Sequence, residues 1–222
     1  MERVPEPELM DDAEQARAYA EADFDAPHAH FTALLRDEFP DLAEAGTSLD
    51  LGCGPGDISF RVASAWPGWR VDAVDGSEAM IALARGRANG DPAGPRIRFL
   101  RAMLPEDSPP AEAYDLVFSN SLLHHLPDPQ ILWSSIRRYA RPSAAVFVMD
   151  LMRPQSEREV EALVERYAHG EAEILRRDFR LSLFAAYRPE EVQSQLEAEG
   201  LRALRVDVVS DRHWIARGRF DI

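Results

Sequence analysis

Leu49-Asp50-Leu51-Gly52-Cys53-Gly54-Pro55-Gly56-Asp57 is the stretch that decides how the rest of the chain reads. A short apolar strand pattern runs into a glycine-rich turn, and a helical pattern follows over residues 56–65. Glycines permit backbone angles that other residues resist, and they let a ligand come close to the main chain. The spacing is not the G-x-G-x-x-G of a dinucleotide site, so a nicotinamide-binding reading is weak. Asp50 sits badly for a pyrophosphate and well for an ammonium group. Pro55 removes a backbone donor that an anion site would use. The loop therefore suits a cofactor with a cationic amino-acid end.

Working outward, strand patterns recur at residues 48–51, 70–74, 96–100, 114–119 and 144–151. Helical patterns lie between them at 56–65, 77–89 and 129–140. This alternation predicts a doubly wound parallel sheet. The apolar runs 114–118 and 144–149 suit central strands buried on both faces. Upstream, residues 11–22 and a stretch opening at Pro27 and stopping near Pro40 read as helices. Downstream, helices are expected at 155–168, 171–177 and from Pro189 to Gly200, with 178–188 less regular. Two final strands, 201–209 and 213–220, are joined by Ser210-Asp211-Arg212, a link short enough to imply an antiparallel pair. The expected fold is α/β: a Rossmann-like, seven-stranded, mostly parallel sheet with an antiparallel C-terminal strand, N-terminal helices and a helical cap. The chain divides into a helical lid (1–45), a cofactor-binding core (46–151), a cap (152–188) and a C-terminal helix with strand pair (189–222), all within one domain.

The second strand ends at Asp75-Gly76-Ser77, about 20 residues past the loop, where an acid accepts hydrogen bonds from ribose hydroxyls. Ser77 is the better candidate for capping the next helix. The fourth strand ends at Ser119-Asn120-Ser121-Leu122-Leu123-His124-His125. Ligands of open α/β sheets bind at the carboxyl ends of strands, so Asn120 and Ser121 lie near the reacting end.

Taken together, residues 49–56, Asp75-Gly76-Ser77 with Met80, and residues 114–129 resemble class I S-adenosylmethionine-dependent methyltransferases. The resemblance spans roughly residues 47–151. It implies S-adenosyl-L-methionine as cofactor and S-adenosyl-L-homocysteine as product. It implies that Asp50, Gly52, Cys53, Gly54 and Gly56 border the methionine end. Asp75 would hold the ribose, with Gly76 and Ser77 beside it, and Met80 would lie against the adenine. Tyr19 resembles an N-terminal tyrosine that closes over the methionine end. One departure stands out: Met103 occupies the place of the family's acid after the third strand. Adenine would then rest on backbone groups of Met103 and apolar contact with Met103 and Leu104; Glu106 or Asp107 is a poorer substitute.

Methyl transfer needs nucleophile, methyl and sulfur aligned in a dry site. A base is needed only where the acceptor must lose a proton. His125, then His124, are the candidates, and Asp150 at the end of the fifth strand is placed to orient an imidazole or the acceptor. The segment 152–188 offers Arg153, Tyr167, His169, Arg177, Phe179, Arg180, Phe184 and Tyr187, a set suited to a small acceptor carrying a carboxylate. His28 and His30 could line the mouth. No metal is expected, because the single cysteine rules out a Cys-rich zinc site and the His28/His30 pair is isolated.

Composition narrows the function further. The 222 residues carry 39 acidic and 25 basic side chains, a net charge of −14, and every basic one is arginine. Such a surface repels a phosphate backbone, and no N-P-P-Y-like motif follows the fourth strand. Nucleic acid is thus a poor partner and a small molecule the better one. No run of ~18 apolar residues predicts a membrane span. The N-terminus lacks a basic-then-apolar leader pattern, so a cytoplasmic location is expected. Monomer and homodimer both stay open. The competing readings are methylation of tRNA, rRNA or protein, synthesis of a carboxylated form of the cofactor, and a non-catalytic cofactor-binding module.

Overall fold

The computed structural model describes residues 1–6, 11–111 and 113–221; residues 7–10 of the expected lid, Glu112 and Ile222 lie outside the described residues. Seven strands form one sheet: β1 (Ala45–Leu51), β2 (Gly68–Asp75), β3 (Ile97–Arg101), β4 (Tyr114–Asn120), β5 (Ala140–Leu151), β6 (Arg205–Val208) and β7 (His213–Arg219). Their spatial order is β3-β2-β1-β4-β5-β7-β6. The first five run parallel, and β7 lies antiparallel between β5 and β6. The order reverses between β1 and β4, which opens a crevice above their carboxyl ends.

Among the described residues, eight α-helices accompany the sheet: α1 (Ala13–Glu21), α2 (Asp25–Glu38), α3 (Asp57–Ala65), α4 (Glu78–Ala88), α5 (Gln130–Tyr139), α6 (Glu157–Ala168), α7 (Glu173–Ala185) and α8 (Pro189–Glu199). Alternating strand residues feed two cores. Val117, Val146 and Trp214 pack with Trp133 and Ile136 of α5 and Leu196 of α8. Phe118, Phe147 and Ile215 pack on the other face with Phe31 of α2, Val62 of α3 and Ile81 of α4. Because both faces are covered, the central strands read as continuous apolar runs rather than alternating ones. A third, smaller core joins Val160 and Val164 of α6 to Leu183 of α7 and Leu151. Among the described residues, no helix is long and apolar enough to cross a membrane.

Three local expectations are corrected. The helix expected to end at residue 177 continues to Ala185. Its inner face buries Asp178 and Ser182 beside Leu183, and these polar residues hid its period. The second helix begins at Asp25 rather than Pro27, leaving the proline in the first turn, where a missing N–H costs nothing. The sixth strand is only Arg205–Val208, because the chain turns after Gly200 in the left-handed region, with the Leu201 N–H donating to the Leu196 carbonyl.

The turn from β1 to α3 depends on glycine. Gly52, Gly54 and Gly56 all have positive φ, and a Cβ at Gly56 (φ 89°) would lie 2.7 Å from the Phe99 ring. Left-handed strain and this clash act together. Gly56→Ala is therefore expected to lower unfolding stability by about 1–3 kcal/mol, read from the midpoint of urea denaturation at unchanged slope.

Candidate active site

The glycine turn is held by the end of the neighbouring strand. The Val74 carbonyl accepts from the N–H groups of Gly52 (2.9 Å) and Cys53 (3.0 Å). The Asp75 carboxylate accepts from Gly54 N–H and from Ser77 N–H, both at 2.8 Å. Burial raises the Asp75 carboxyl above its ordinary range, and these two donors partly offset the rise. Ser77 caps α4, its Oγ accepting from Met80 N–H at 3.2 Å. One strand end thus sets both the loop and the start of the next helix.

Asp50 is almost fully buried beneath the loop and accepts from Ser59 Oγ at 2.5 Å. Burial pushes its carboxyl up to about 7; the Ser59 bond lowers it and the Asp75 charge adds to the rise. No cation figures among the groups that shift it. The neighbouring Cys53 thiol is buried too, and burial with the two carboxylates raises it well above its usual value.

Across the crevice, β4 ends at Asn120, Ser121 adopts a left-handed conformation (φ 57°), and Leu123–His125 forms a 3-10 turn. Asp150, at the end of β5, fixes that turn. One oxygen accepts from Leu123 N–H at 2.7 Å; the other lies 2.5 Å from His124 Nδ1 and accepts from Leu151 N–H at 2.6 Å. Burial disfavours charge on both side chains, yet their attraction prevails: His124 lies above its ordinary pKa and Asp150 below. Asp150 therefore orients His124, the imidazole ranked second in the sequence. The rings of His124 and His125 are 4.2 Å apart, centre to centre.

A cavity of about 460 Å³ opens over these elements. It is lined by Tyr19, Asp50, Gly52, Cys53, Gly54, Asp75, Gly76, Ser77, Met80, Met103, Leu104, Asn120, Ser121, His124 and His125. Of the cofactor and base candidates, Gly56 and Asp150 alone lie off the lining: Gly56 shapes the turn, and Asp150 stands behind His124. His28 reaches the cavity, whereas His30 is exposed elsewhere. The Met103 N–H is already taken by Asp107 Oδ2 at 2.9 Å, so the backbone donor expected to meet adenine is engaged.

The arginines singled out in the cap do not reach the cavity. Arg153 is buried against Glu191 (2.6 Å), Arg177 pairs with Asp178 (2.9 Å) and Arg180 with Glu161 (2.5 Å). Tyr167 and Phe179 of that set do line it, joined by Asp178 and Ser182 of α7 and by Arg212 and His213 at the start of β7. Arg212 lies 3.4 Å over the Tyr167 ring. Burial, with Arg212 beside it, lowers His213 to about 3, so this imidazole is neutral. The sequence signal for these residues is faint: a polar link between two strands reads as a turn and nothing more.

A family model described as a methyltransferase domain matches residues 49–143, the stretch holding the loop, Asp75 and the histidine turn. That stretch is similar to a methyltransferase domain. The chain is similar to trans-aconitate 2-methyltransferase of Azoarcus sp. (strain BH72), at 35% identity over 107 residues, 48% of this chain and 40% of that protein. The same-named protein of Escherichia coli is 35% identical over 99 residues, 45% of this chain and 36% of its own length. The match thus spans about two fifths of those relatives. Among solved structures, a SAM-dependent methyltransferase from Aquifex aeolicus superposes with TM-score 0.67 at 19% identity, covering 93% of this chain and 98% of that one. The plantazolicin methyltransferase BpumL, solved with SAH and a monoazolic desmethylPZN analogue, gives 0.65 at 13% identity, covering 92% and 85%. These likenesses bear out the expected fold across most of the chain.

Removing the Asp150 carboxylate strands a buried imidazole and two backbone donors. Asp150→Ala is expected to cost about 3–5 kcal/mol of unfolding stability, measured by urea denaturation.

Proposed function

We propose that the protein transfers a methyl group from S-adenosyl-L-methionine to a small-molecule acceptor by in-line displacement. The observation that carries the reading is the placement of two acids, Asp50 buried and Asp75 half-buried, on either side of a glycine turn at the floor of one cavity. Burial raises the Asp50 carboxyl, and no protein cation figures among the groups that shift it; such an acceptor fits a ligand ammonium. When bound, the cofactor supplies a methyl carbon on a positively charged sulfur, already open to attack.

The chain's residues then divide the work. Asp50 with Gly52, Cys53 and Gly54 takes the amino-acid end, and Gly56 keeps the turn open. Asp75 takes the ribose hydroxyls, flanked by Gly76 and Ser77. Met80, Met103 and Leu104 form the apolar wall for adenine. Asn120 and Ser121 face the sulfur end, Tyr19 covers it, and water is kept from the reacting atoms. His124, fixed by Asp150, and His125 present imidazoles to the acceptor side. In this reading residues 1–45 act as lid, 46–151 as core, 152–188 as cap, and 189–222 complete the sheet.

A small organic acid is the acceptor class we favour. Among the described residues, Arg212 is the one arginine lining the cavity, and the relatives' name specifies trans-aconitate as their acceptor. With a net charge of −14, the surface is unsuited to a phosphate backbone.

Two measurements test the reading. Asp75→Ala is expected to weaken S-adenosylhomocysteine binding at least about tenfold, through lost hydrogen bonds to a charged acceptor worth about 1.5–3 kcal/mol; unchanged affinity by calorimetry would remove Asp75 from the ribose. Asp50 supplies the pH signature. Its carboxyl, raised to about 7, keeps a proton below that pH, and a ligand ammonium must displace the proton. Affinity is therefore expected to fall as pH drops below 7, by up to about tenfold per unit. Asp50→Asn should flatten the profile.

A further inference from the structure

Glu6 enters the site from a segment that none of the motifs include. The Val4 N–H donates to the Phe184 carbonyl at 3.1 Å. Arg3 donates to the Ala185 carbonyl (2.6 Å) and the His124 carbonyl (3.0 Å) while lying 4.1 Å over the Tyr187 ring. These contacts press the Glu6 side chain, 6% exposed, against the histidine turn. Its Oε1 lies 3.4 Å from His124 Nε2 and 3.4 Å from His125 Nδ1.

Those distances invite an ion-pair reading, with a protonated His124 between two carboxylates. The directions argue otherwise. Glu6 Oε1 is buried and accepts no hydrogen bond among the described residues, although both ring nitrogens are within reach. An unpartnered buried carboxylate oxygen 3.4 Å from two ring nitrogens fits three atoms grouped about a common centre. A tetrahedron with bonds of about 2.0–2.1 Å has edges of about 3.3–3.4 Å, which is the separation seen on two edges. All three ligand atoms lie within 4.8 Å of one another.

The surrounding bonds are those a metal site needs. Asp150 holds His124 Nδ1 at 2.5 Å, so the Nε2 lone pair can face the centre; such a carboxylate behind a ligating imidazole fixes tautomer and ring orientation. Ser182 Oγ donates to Glu6 Oε2 at 3.3 Å, which leaves Oε1 for the centre. Two nitrogens and one carboxylate oxygen match a borderline first-row ion rather than the all-oxygen sets of magnesium or calcium.

We propose that Glu6, His124 and His125 form a three-ligand site for a divalent first-row transition ion. Both histidines line the cavity, so the open coordination position faces the acceptor, and an acceptor oxygen binds there. This last role rests on the methyl-transfer reading; the ion site itself does not. It departs from the sequence expectation of no metal. It also adds to Arg212 a second positive charge for an anionic acceptor, offsetting Asp178 on the lining and Glu6 and Asp150 beside the histidines.

The test uses the full chain without a polyhistidine tag, stripped with chelator, desalted and titrated with cobalt(II) chloride. We expect one Co²⁺ per chain with visible d–d absorption. Glu6→Gln and His125→Ala should each weaken binding at least tenfold, while Glu6→Gln leaves S-adenosylhomocysteine affinity within about twofold of wild type. Absence of stoichiometric Co²⁺ uptake, or uptake that neither variant alters, overturns the ion site. S-adenosylhomocysteine binding without the ion leaves the methyl-transfer reading intact, whereas ion uptake without S-adenosylhomocysteine binding overturns that reading and leaves the ion site standing.

Discussion

Two oxygens of one carboxylate organise the glycine-turn end of the cavity. Asp75 ends β2, and its bonds to Gly54 N–H and Ser77 N–H tie the turn after β1 to the cap of α4. The turn cannot hold itself. Its glycines adopt positive φ, where the backbone has freedom but few bonds of its own. The adjacent strand supplies what the loop lacks: the Val74 carbonyl for Gly52 and Cys53, and the Asp75 carboxylate for Gly54. Parallel pairing of β1 with β2 sets the register that makes these bonds possible.

The opposite wall follows the same logic. Asp150 also ends a strand and also gathers backbone donors from the turn after a neighbouring strand. The difference is the imidazole. Asp75 turns its acceptor capacity toward backbone, whereas Asp150 shares its own with His124. The cavity between them therefore has one wall edged by carboxylates and one built around histidine.

The sheet was legible because its physical signal is strong. Strands covered on both faces must be apolar throughout, and Val117 with Phe118, or Val146 with Phe147, show each residue of such a pair serving a different core. The loop, Asp75 and the histidine turn were legible because their spacing has few other uses. The cap was not. Asp178 and Ser182 lie on the inner face of α7, so its hydrophobic period broke where the helix continued. Arginine identity carried no direction, and Arg153 and Arg180 were drawn to Glu191 and Glu161 instead of the cavity. His124 and His125 are adjacent in a 3-10 turn, and only the position of Asp150 in three dimensions distinguishes them. Glu6 is far from both in sequence, and nothing local marks it.

Cys53 has a chemistry of its own. It is the chain's single cysteine, sits in the glycine turn, and is kept protonated by burial between two carboxylates. A thiol reacts with alkylating reagents as its thiolate, so the folded turn shields this sulfur from labelling. Any excursion that lifts the turn away from β2 hydrates the sulfur and unmasks it. The protein thus carries one intrinsic chemical tag, silent while the floor of the crevice is intact and exposed in proportion to how often that floor breathes.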